Sequence, residues 1–449
     1  MTDEPKKVRA PQWWVPSSYL AEGIPFAMVI WVAGTMFKDL GHSDSEITLY
    51  TASIGIMWSI KPLYAGFLDM FRTKRFWVIT MELLMASVLG LWALSLALPN
   101  YFIVVILLLW LLAFASATQD ICVDGVYITS LNESQQAKFI GLQGAFWVTG
   151  RIFATALVVG IAGWLQKGGM DARGAWAAAL GVGMGAMALL GVYHYFVLPA
   201  GSTPERAENA KAVVTTFIDQ FFDFLKKPQL LGMLVFVFLF RLGEGFLLVE
   251  APLFMQGKVT DGGLGMCATE AINAACPHML EDKALIDGFI STVVSLAFGM
   301  LGGAFAGKYG LNRKTLVFMA LCLNLPHVTF LILSQMVSPE TPVSLPVIAT
   351  LVTIEKAGYA FGFVANMLYM MQQISPGKYH MTHYAFCTSI MNLVLIPTQM
   401  ASGPMADAMG FQTFFIVVIV ASIPSIIGAY FAPFPHKVET GKVAGLAKH

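Results

Sequence analysis

The sequence has few charged residues. Asp, Glu, Lys and Arg make up only 12% of its 449 residues, whereas 57% are hydrophobic. Soluble domains carry about 25% charged residues, so this composition argues against a soluble domain. The 27 basic and 27 acidic residues cancel to a formal net charge of zero. We expect a lipid bilayer and a small molecule as partners, and no nucleic acid.

Signature motifs of common enzymes are missing as well. The sequence contains no His-Glu-x-x-His, no Gly-x-x-x-x-Gly-Lys-Ser/Thr and no Gly-x-Ser-x-Gly, which carry zinc, nucleotide and acyl-transfer chemistry. We therefore predict a protein that is not an enzyme, binds no metal or cofactor and does not hydrolyse ATP. A membrane receptor or scaffold is the remaining alternative class, but it would not require buried charges in both halves of the chain.

Long apolar stretches are abundant. A helix needs about 20 apolar residues to cross a bilayer, and about twelve such stretches are present. They lie near residues 16–38, 46–68, 75–98, 101–128, 138–165, 174–198, 229–255, 284–307, 313–337, 345–374, 379–403 and 411–432. The pattern predicts an all-α integral membrane protein. No cleavable signal peptide is expected, because a polar and basic start leads directly into a full-length span.

Lysine and arginine are concentrated in alternate connections between these stretches. With the N-terminus placed inside, the inner segments hold about 18 basic residues and the outer segments about five. Basic residues favour the cytoplasmic side of a membrane. The sequence therefore predicts a multi-pass protein with both termini in the cytoplasm.

The chain has only five cysteines, and two of them, Cys267 and Cys276, fall in the longest outer loop. A disulfide forms there if the loop faces an oxidising compartment. The alternative is a pair of free thiols on a short helix, and both interpretations stay open. The other three cysteines lie in apolar spans, where we expect them to pack as small hydrophobic residues.

The spans fall into two groups of six. A charged segment at 199–228 separates a first half at 1–198 from a second half at 229–432, and a polar tail occupies 433–449. Short sequence matches recur in register between the halves, which indicates duplication. The matching pairs are Glu22-Gly23 with Glu244-Gly245, Lys138-Phe139 with Lys378-Tyr379, and Gly66-Phe67-Leu68-Asp69 with Gly303-Ala304-Phe305-Ala306.

The connection after the second span resembles the loop motif of the major facilitator superfamily. Asp69 is followed by the basic residues Arg72, Lys74 and Arg75. The second copy has Lys308 near the place where the pattern has Asp. The resemblance implies two six-helix bundles that rock about a central site. It also implies gating roles for Asp69, Arg72 and Arg75.

A narrower resemblance covers most of the first half. The chain is similar to AmpG-type permeases in a series of motifs: Trp13-Trp14-Val15-Pro16, Tyr19-Leu20-Ala21-Glu22-Gly23-Ile24-Pro25, Ile60-Lys61-Pro62-Leu63, Ala117-Thr118-Gln119-Asp120, Asp124-Gly125 and Gln135-Gln136-Ala137. This resemblance implies proton-driven import of anhydro-muropeptides, such as GlcNAc-anhydroMurNAc and its peptides, across the bacterial inner membrane. We separately expect the protein to be a monomer. The related acetyl-coenzyme A transporters and single-component siderophore importers supply the alternatives.

Three acidic residues inside the predicted spans are candidates for proton coupling. Asp120 and Asp124 are four residues apart, so on a helix they share one face. Glu22 lies in the first span beside Gly23, and such interruptions line cavities. A carboxylate in a membrane span is expensive and marks a functional site by default. The alternative is that Asp120 and Asp124 pair with Lys61 or Arg151 as a structural clamp.

Polar and aromatic residues of the spans are candidates for binding the substrate. Basic groups suit a carboxylate, amides suit a sugar, and aromatic rings stack on sugar faces. The candidates are Gln119, Arg151, Lys61, Glu244, Arg241, Gln143, Trp147 and Tyr359. Arg241 and Glu244 are one helical turn apart, so a pair within the helix is the alternative for both. For Trp147 and Tyr359 the alternative is packing between helices.

Overall fold

The computed structural model describes residues 9–201, 210–268 and 272–436, and almost all of them are helical. The first ten helices are α1 (Val15–Ala27), α2 (Ala33–Asp39), α3 (Asp44–Thr51), α4 (Ile56–Ser59), α5 (Lys61–Phe71), α6 (Lys74–Ser95), α7 (Tyr101–Ser130), α8 (Glu133–Ile152), α9 (Val159–Lys167) and α10 (Ala172–Val197). The others are α11 (Ala210–Leu225), α12 (Leu230–Phe240), α13 (Leu242–Gln256), α14 (Leu280–Lys283), α15 (Ser291–Tyr309), α16 (Arg313–Asn324), α17 (Val328–Met336), α18 (Leu345–Tyr369) and α19 (His380–Phe431).

Within the described residues, ten continuous helical stretches are long and apolar enough to cross a membrane. The last lies within α19, whose 52 residues include a break at Gly410, where φ is 75° and ψ is 158°. Glycine adopts a positive φ without steric conflict, so the final two predicted spans follow each other without a longer loop. The second predicted span is divided among α3, α4 and α5. One of the ten stretches therefore covers two predicted spans, and the divided second span is not among the ten. Together these two features account for the twelve predicted spans.

Polar residues at the helix starts explain several boundaries. Ser43 and Glu46 form a reciprocal capping box at the start of α3, and Asn132 and Gln135 do the same for α8. Each box satisfies backbone N–H groups that the first turn of a helix leaves unpaired. The helix α8 therefore begins at Glu133, five residues before the apolar stretch that predicted it.

The chain forms two compact units. One consists of residues 1–32 and 60–215, and the other of residues 33–59 and 216–449. The segment 33–59, with α2, α3 and α4, belongs by sequence to the first six spans but packs within the second unit. The first unit holds a buried cluster around Trp14, Tyr19 and Val123. The second holds two clusters, with Phe240 in one and Phe254 in the other.

In the first unit, α1 and α8 approach each other at two glycines. A side chain at Gly23 would overlap the backbone carbonyl of Trp147, and one at Gly150 would overlap the carbonyl of Leu20. Small residues of this kind allow membrane helices to pack backbone against backbone. The contact holds Glu22, which precedes Gly23, at a fixed depth beside α8.

The second unit repeats this arrangement between α13 and α19. A side chain at Gly245 would overlap the hydroxyl of Thr398, and one at Gly243 would overlap the hydroxyl of Ser422. Gly245 follows Glu244 as Gly23 follows Glu22. The repeated Glu-Gly pair thus marks a close helix contact in each unit.

The loop between α13 and α14 contains a disulfide between Cys267 and Cys276. Of the two interpretations left open by the sequence, the structure has the disulfide. The strands β1 (Met266–Cys267) and β2 (His278–Met279) pair in parallel, with Met266 opposite His278. The amide of Val259 also donates to the carbonyl of Ala275 at 2.9 Å. The described part of this loop is therefore ordered by both covalent and backbone contacts.

The glycine contact between α1 and α8 generates a test of this packing. We expect Gly150→Ala to lower the free energy of unfolding by about 1–3 kcal/mol, because the added methyl group overpacks a backbone contact. Thermal unfolding of the purified protein in detergent measures the effect.

Gly144→Ala on the same helix is the control, because a Cβ at Gly144 meets no atom within 4 Å. It should be neutral, or stabilising by up to about 1 kcal/mol through helix propensity. Equal melting temperatures for the two variants would contradict the close contact.

Candidate functional site

An ion pair joins the start of α5 to the middle of α7. Lys61 is the first residue of α5, and its ammonium group donates to the carboxylate of Asp120. The two side chains are 28% and 21% exposed, so the pair is only partly buried. Asp120 and Asp124 lie one turn apart on α7, as predicted. The structure therefore brings together Lys61 and Asp120, the pairing that the sequence raised as an alternative.

The second carboxylate of α7 has a different partner. The hydroxyl of Tyr19 on α1 donates to Asp124 Oδ1 at 2.8 Å. Glu22, one turn further along α1, is 4% exposed, and its Oε1 makes no hydrogen bond within the described residues. Asp124 and Lys61 are among the charged groups close enough to act on Glu22. Tyr19 was not identified from the sequence, although its place one turn before Glu22 puts both residues on one face of α1.

We call Glu22, Lys61, Asp120 and Asp124 the Lys61 cluster. In it, one lysine faces three carboxylates. Neighbouring like charges in a partly dry site increase the tendency of carboxylates to bind protons. The cluster is therefore suited to take up and release a proton as its exposure to water changes. Neither this cluster nor any other group of three His, Cys, Asp or Glu side chains in the described residues is arranged to hold a metal ion.

A separate polar network lies behind the Lys61 cluster. Glu82 on α6 accepts from His194 on α10 at 2.8 Å and from Gln119 on α7 at 3.1 Å. The other ring nitrogen of His194 lies 2.9 Å from the hydroxyl of Ser17. Glu82, Gln119 and His194 are all 0% exposed. Gln119, a predicted substrate-binding residue, is thus placed in a closed network; His194 was not identified from the sequence.

The predicted binding residues of α8 lie near aromatic rings. The guanidinium of Arg151 is 4.2 Å from the centre of the Trp31 ring, which is cation–π geometry. Trp147 packs against Phe26 with ring centres 5.5 Å apart. Gln143 lies two turns before Arg151 and is partly exposed. These contacts position one cationic group and several ring faces on neighbouring helices of the first unit.

The second unit has its own cationic and aromatic group. Arg241 lies at the junction of α12 and α13, where the helix is interrupted, and forms a buried ion pair with Glu244. This is the pair within one helix that the sequence raised as the alternative. The Arg241 guanidinium is 4.9 Å from the centre of the Phe363 ring. Tyr359 stacks on Phe363 with ring centres 5.7 Å apart.

The predicted gating residues lie at the connection between α5 and α6. Arg75 donates to the carbonyl of Tyr195 near the end of α10. The guanidinium of Arg72 is 5.4 Å from the centre of the Phe76 ring. The Asp69 side chain lies outside the described part of the chain. The structure thus places the two arginines at one end of the first unit, next to α10 and α6.

Comparison with known proteins gives relatives along nearly the whole chain. AmpG 4 of Rickettsia conorii, named as a proposed transporter, is 24% identical over 426 residues, which cover 91% of this chain and 92% of the relative. No family model matches the chain. Solved structures of low sequence identity share its fold.

Two of these solved structures are transporters. The nucleoside transporter NupG superposes with a TM-score of 0.69 at 14% identity, covering 95% of this chain and 99% of NupG. The D-xylose-proton symporter superposes with a TM-score of 0.63 at 13% identity, covering 94% and 97%. The predicted fold class, an all-α membrane protein of the major facilitator type, is confirmed.

The two glutamines on α7 and α8 generate a prediction that separates structure from binding. Gln119→Ala removes a donor to buried Glu82, so we expect a loss of about 1–3 kcal/mol in unfolding free energy with KM for the transported solute unchanged. Thermal unfolding and solute uptake measure the two quantities.

Gln143→Ala is the matched variant, since Gln143 is partly exposed. It should leave the melting temperature unchanged and raise KM. If Gln119→Ala instead raised KM without lowering the melting temperature, the closed-network interpretation of Gln119 would be wrong.

Proposed function

We propose that this chain, which has the major facilitator superfamily fold and is similar to AmpG transporters along nine-tenths of its length, is a proton-coupled importer of anhydro-muropeptides. It carries GlcNAc-anhydroMurNAc and its peptides across the bacterial inner membrane by alternating access, for recycling of the cell wall. No cofactor takes part, and the proton gradient supplies the driving force. The protein acts as a monomer.

The Lys61 cluster is the observation that carries this proposal. Proton coupling needs a carboxyl group that binds a proton on one side of the membrane and loses it on the other. Among the contacts of the described residues, Lys61 acts on Glu22, Asp120 and Asp124, and a proton in the cluster relieves the mutual repulsion of the three carboxylates. The partial exposure of Lys61 and Asp120 provides contact with water.

The first unit contains chemistry that suits an anionic sugar-peptide. Arg151 with Trp31 and Trp147 combines a guanidinium with indole rings in the first unit. A guanidinium binds a carboxylate with two parallel hydrogen bonds, and muropeptides carry carboxylates. Aromatic rings stack on sugar faces. The relatives are named AmpG transporters, which agrees with the resemblance from which this solute class is inferred.

A single-component importer of a ferric siderophore is the second candidate function. Siderophores also carry carboxylates, and the Arg151 guanidinium of the first unit suits them equally well by charge. An acyl-coenzyme A transporter is the third candidate, and it has less support because its phosphates would call for a denser group of basic residues.

The disulfide supports the proposed orientation. Disulfides persist in the oxidising periplasm and are rare in the bacterial cytoplasm. The Cys267–Cys276 loop therefore lies on the periplasmic side, which agrees with the excess of lysine and arginine in the opposite connections. Both termini then lie in the cytoplasm.

This orientation predicts which side of the membrane exposes the two cysteines. After treatment of intact spheroplasts with a membrane-impermeant reductant, an impermeant maleimide should label Cys267 and Cys276. Mass spectrometry of the labelled protein gives the measurement. The double variant Cys267→Ser, Cys276→Ser is the control and should stay unlabelled. Labelling that requires permeabilised membranes would reverse the proposed topology.

Transport in proteoliposomes tests the proposed function directly. When the medium outside the vesicles is acidic and the lumen is neutral, labelled anhydro-muropeptide should accumulate in the lumen. A ferric siderophore should not accumulate. Asp120→Asn should reduce gradient-driven uptake to the level of empty vesicles. The substitution removes a carboxylate of the Lys61 cluster, whereas the size of the side chain at position 120 stays the same. Scintillation counting of filtered vesicles measures both solutes.

Asp219→Asn is the matched control, because Asp219 lies exposed on α11, outside the apolar spans. It should leave uptake unchanged. Preferential accumulation of the siderophore would replace the proposed solute, and gradient-driven uptake by Asp120→Asn would remove Asp120 from the coupling mechanism.

A further inference from the structure

A buried carboxylate in the second unit takes no part in the function proposed above. Glu250 on α13 is 0% exposed. Neither of its oxygens makes a hydrogen bond of good geometry within the described residues. An ionised carboxylate that is buried without a hydrogen-bond donor is strongly destabilised. The charge of Glu250 therefore has to be compensated by neighbouring groups.

A second buried carboxylate faces Glu250 from another helix. Asp44, the first residue of α3, is 2% exposed and acts directly on Glu250. Lys38 at the end of α2 lies 2.6 Å from Asp44 Oδ1 and is the cation that acts on both carboxylates. The hydroxyl of Ser402 on α19 also faces Glu250.

Other charged groups of this region have separate partners. Asp407 on α19 acts on Asp44 and accepts hydrogen bonds from Ser45. Lys283 on α14, another buried lysine of the same unit, donates to the hydroxyl of Thr35 at 2.7 Å. One lysine, Lys38, thus compensates one of two buried carboxylates. A single proton shared by Asp44 and Glu250 completes the neutralisation.

The start of α3, which carries Asp44, lies directly against α19. A side chain at Gly403 would overlap the backbone of Asp44, so the two main chains touch. The amide of Gly403 donates to Thr48 Oγ1 at 3.2 Å, and the amide of Ser45 donates to Asp407 Oδ2 at 2.9 Å. We call this set of interactions the α3–α19 contact. Separation of α3 from α19 would move Asp44 away from Glu250 and into water.

Water has a route to this contact. A cavity of about 660 Å³ is lined by Lys38, Asp44 and Asp407, and also by the disulfide residues Cys267 and Cys276. The disulfide loop is the part of the chain that the proposed topology assigns to the periplasm. The proton on the carboxylate pair is therefore exchanged with the periplasmic side.

The direction of the pH effect follows from burial. Burial raises the pKa of the Asp44 carboxyl, and Lys38 opposes that shift without cancelling it. A carboxyl whose pKa is higher in one arrangement than in water stabilises that arrangement as the pH falls, and this stabilisation is lost as the pH rises through the shifted pKa. Acidic conditions therefore favour the α3–α19 contact, and alkaline conditions favour its separation.

We propose that Glu250 and Asp44 form a proton-binding pair that closes the α3–α19 contact when a proton is bound and opens it when the proton leaves. The inference rests on the proposed proton-coupled import and adds to it a proton site separate from the Lys61 cluster. A periplasmic proton would close this end of the carrier once it has bound, which is the order an importer requires.

Accessibility of Thr48 tests the proposal without altering the pair itself. Thr48 is fully buried in the α3–α19 contact. In a variant with Thr48→Cys, and with Cys122, Cys322 and Cys387 replaced by alanine, a maleimide should react slowly in acid and faster in alkali. Between about pH 5 and about pH 8, the labelling rate should rise by a factor that approaches ten for each unit of pKa difference between the closed and open arrangements.

An exposed reference cysteine corrects for the reactivity of the thiol. Asn100→Cys in the same background serves this purpose, because Asn100 is exposed in the loop before α7. The ratio of the two labelling rates, measured on purified protein in detergent by mass spectrometry, is the quantity compared. A ratio that is independent of pH would overturn the proposal.

Substitution of the buried acid gives the second measurement. Glu250→Gln carries no charge at any pH, so the Thr48→Cys labelling ratio should stay low throughout the range. Glu340→Gln, the same change at an exposed residue of the loop before α18, should retain the pH dependence. A Glu250→Gln protein with the unaltered pH profile would contradict the role of Glu250.

Uptake measurements separate this proposal from the function on which it rests. Gradient-driven uptake combined with pH-independent labelling would refute the proton-binding pair and leave proton-coupled import intact. Absence of any gradient-driven uptake combined with pH-dependent labelling would refute the transport function and leave the proton-binding pair established.

Discussion

A charge in a membrane span needs a partner, and this constraint organises the polar interior of the protein. Arg241 is paired with Glu244, and Glu82 with His194, in places where water has almost no access. Such pairs are stable structural elements, because removal of one member leaves the other buried and uncompensated. The Lys61 cluster and the Glu250–Asp44 pair are different, since each has more carboxylates than lysines. Because at least one carboxylate in each group is left uncompensated, binding of a proton changes the balance of charge and can change how the helices pack.

The glycines that follow Glu22 and Glu244 determine where those two glutamates lie. Gly23 allows α1 to touch α8, and Gly245 allows α13 to touch α19. In both units the glutamate that precedes the glycine is therefore held at a close helix contact and cannot turn toward lipid. The duplicated sequence pair thus has a duplicated geometric meaning, although Glu244 is matched by Arg241 whereas Glu22 shares Lys61 with two other acids.

Much of the helical architecture was predictable from the sequence, because a stretch of apolar residues long enough to span a bilayer is a local property. The disulfide was one of two interpretations that the sequence left open, and it could be considered at all because Cys267 and Cys276 are nine residues apart in one loop. The contact of Glu82 with His194 was not foreseeable, because the two residues are 112 positions apart and meet only when α6 and α10 pack. The same reason applies to Tyr19 with Asp124, 105 positions apart, and to the association of residues 33–59 with the second unit.

The break in α19 has a mechanical meaning. Gly410 alone separates the helical segments 380–409 and 411–431, so there is no slack chain to absorb displacement of one against the other. Asp407, which accepts two hydrogen bonds from Ser45, stands three residues before this joint. A displacement of Ser45 is accordingly transmitted through Asp407 to the segment 380–409 and, across Gly410, to the segment 411–431. The last two membrane crossings therefore move together, and Gly410 is the hinge between them.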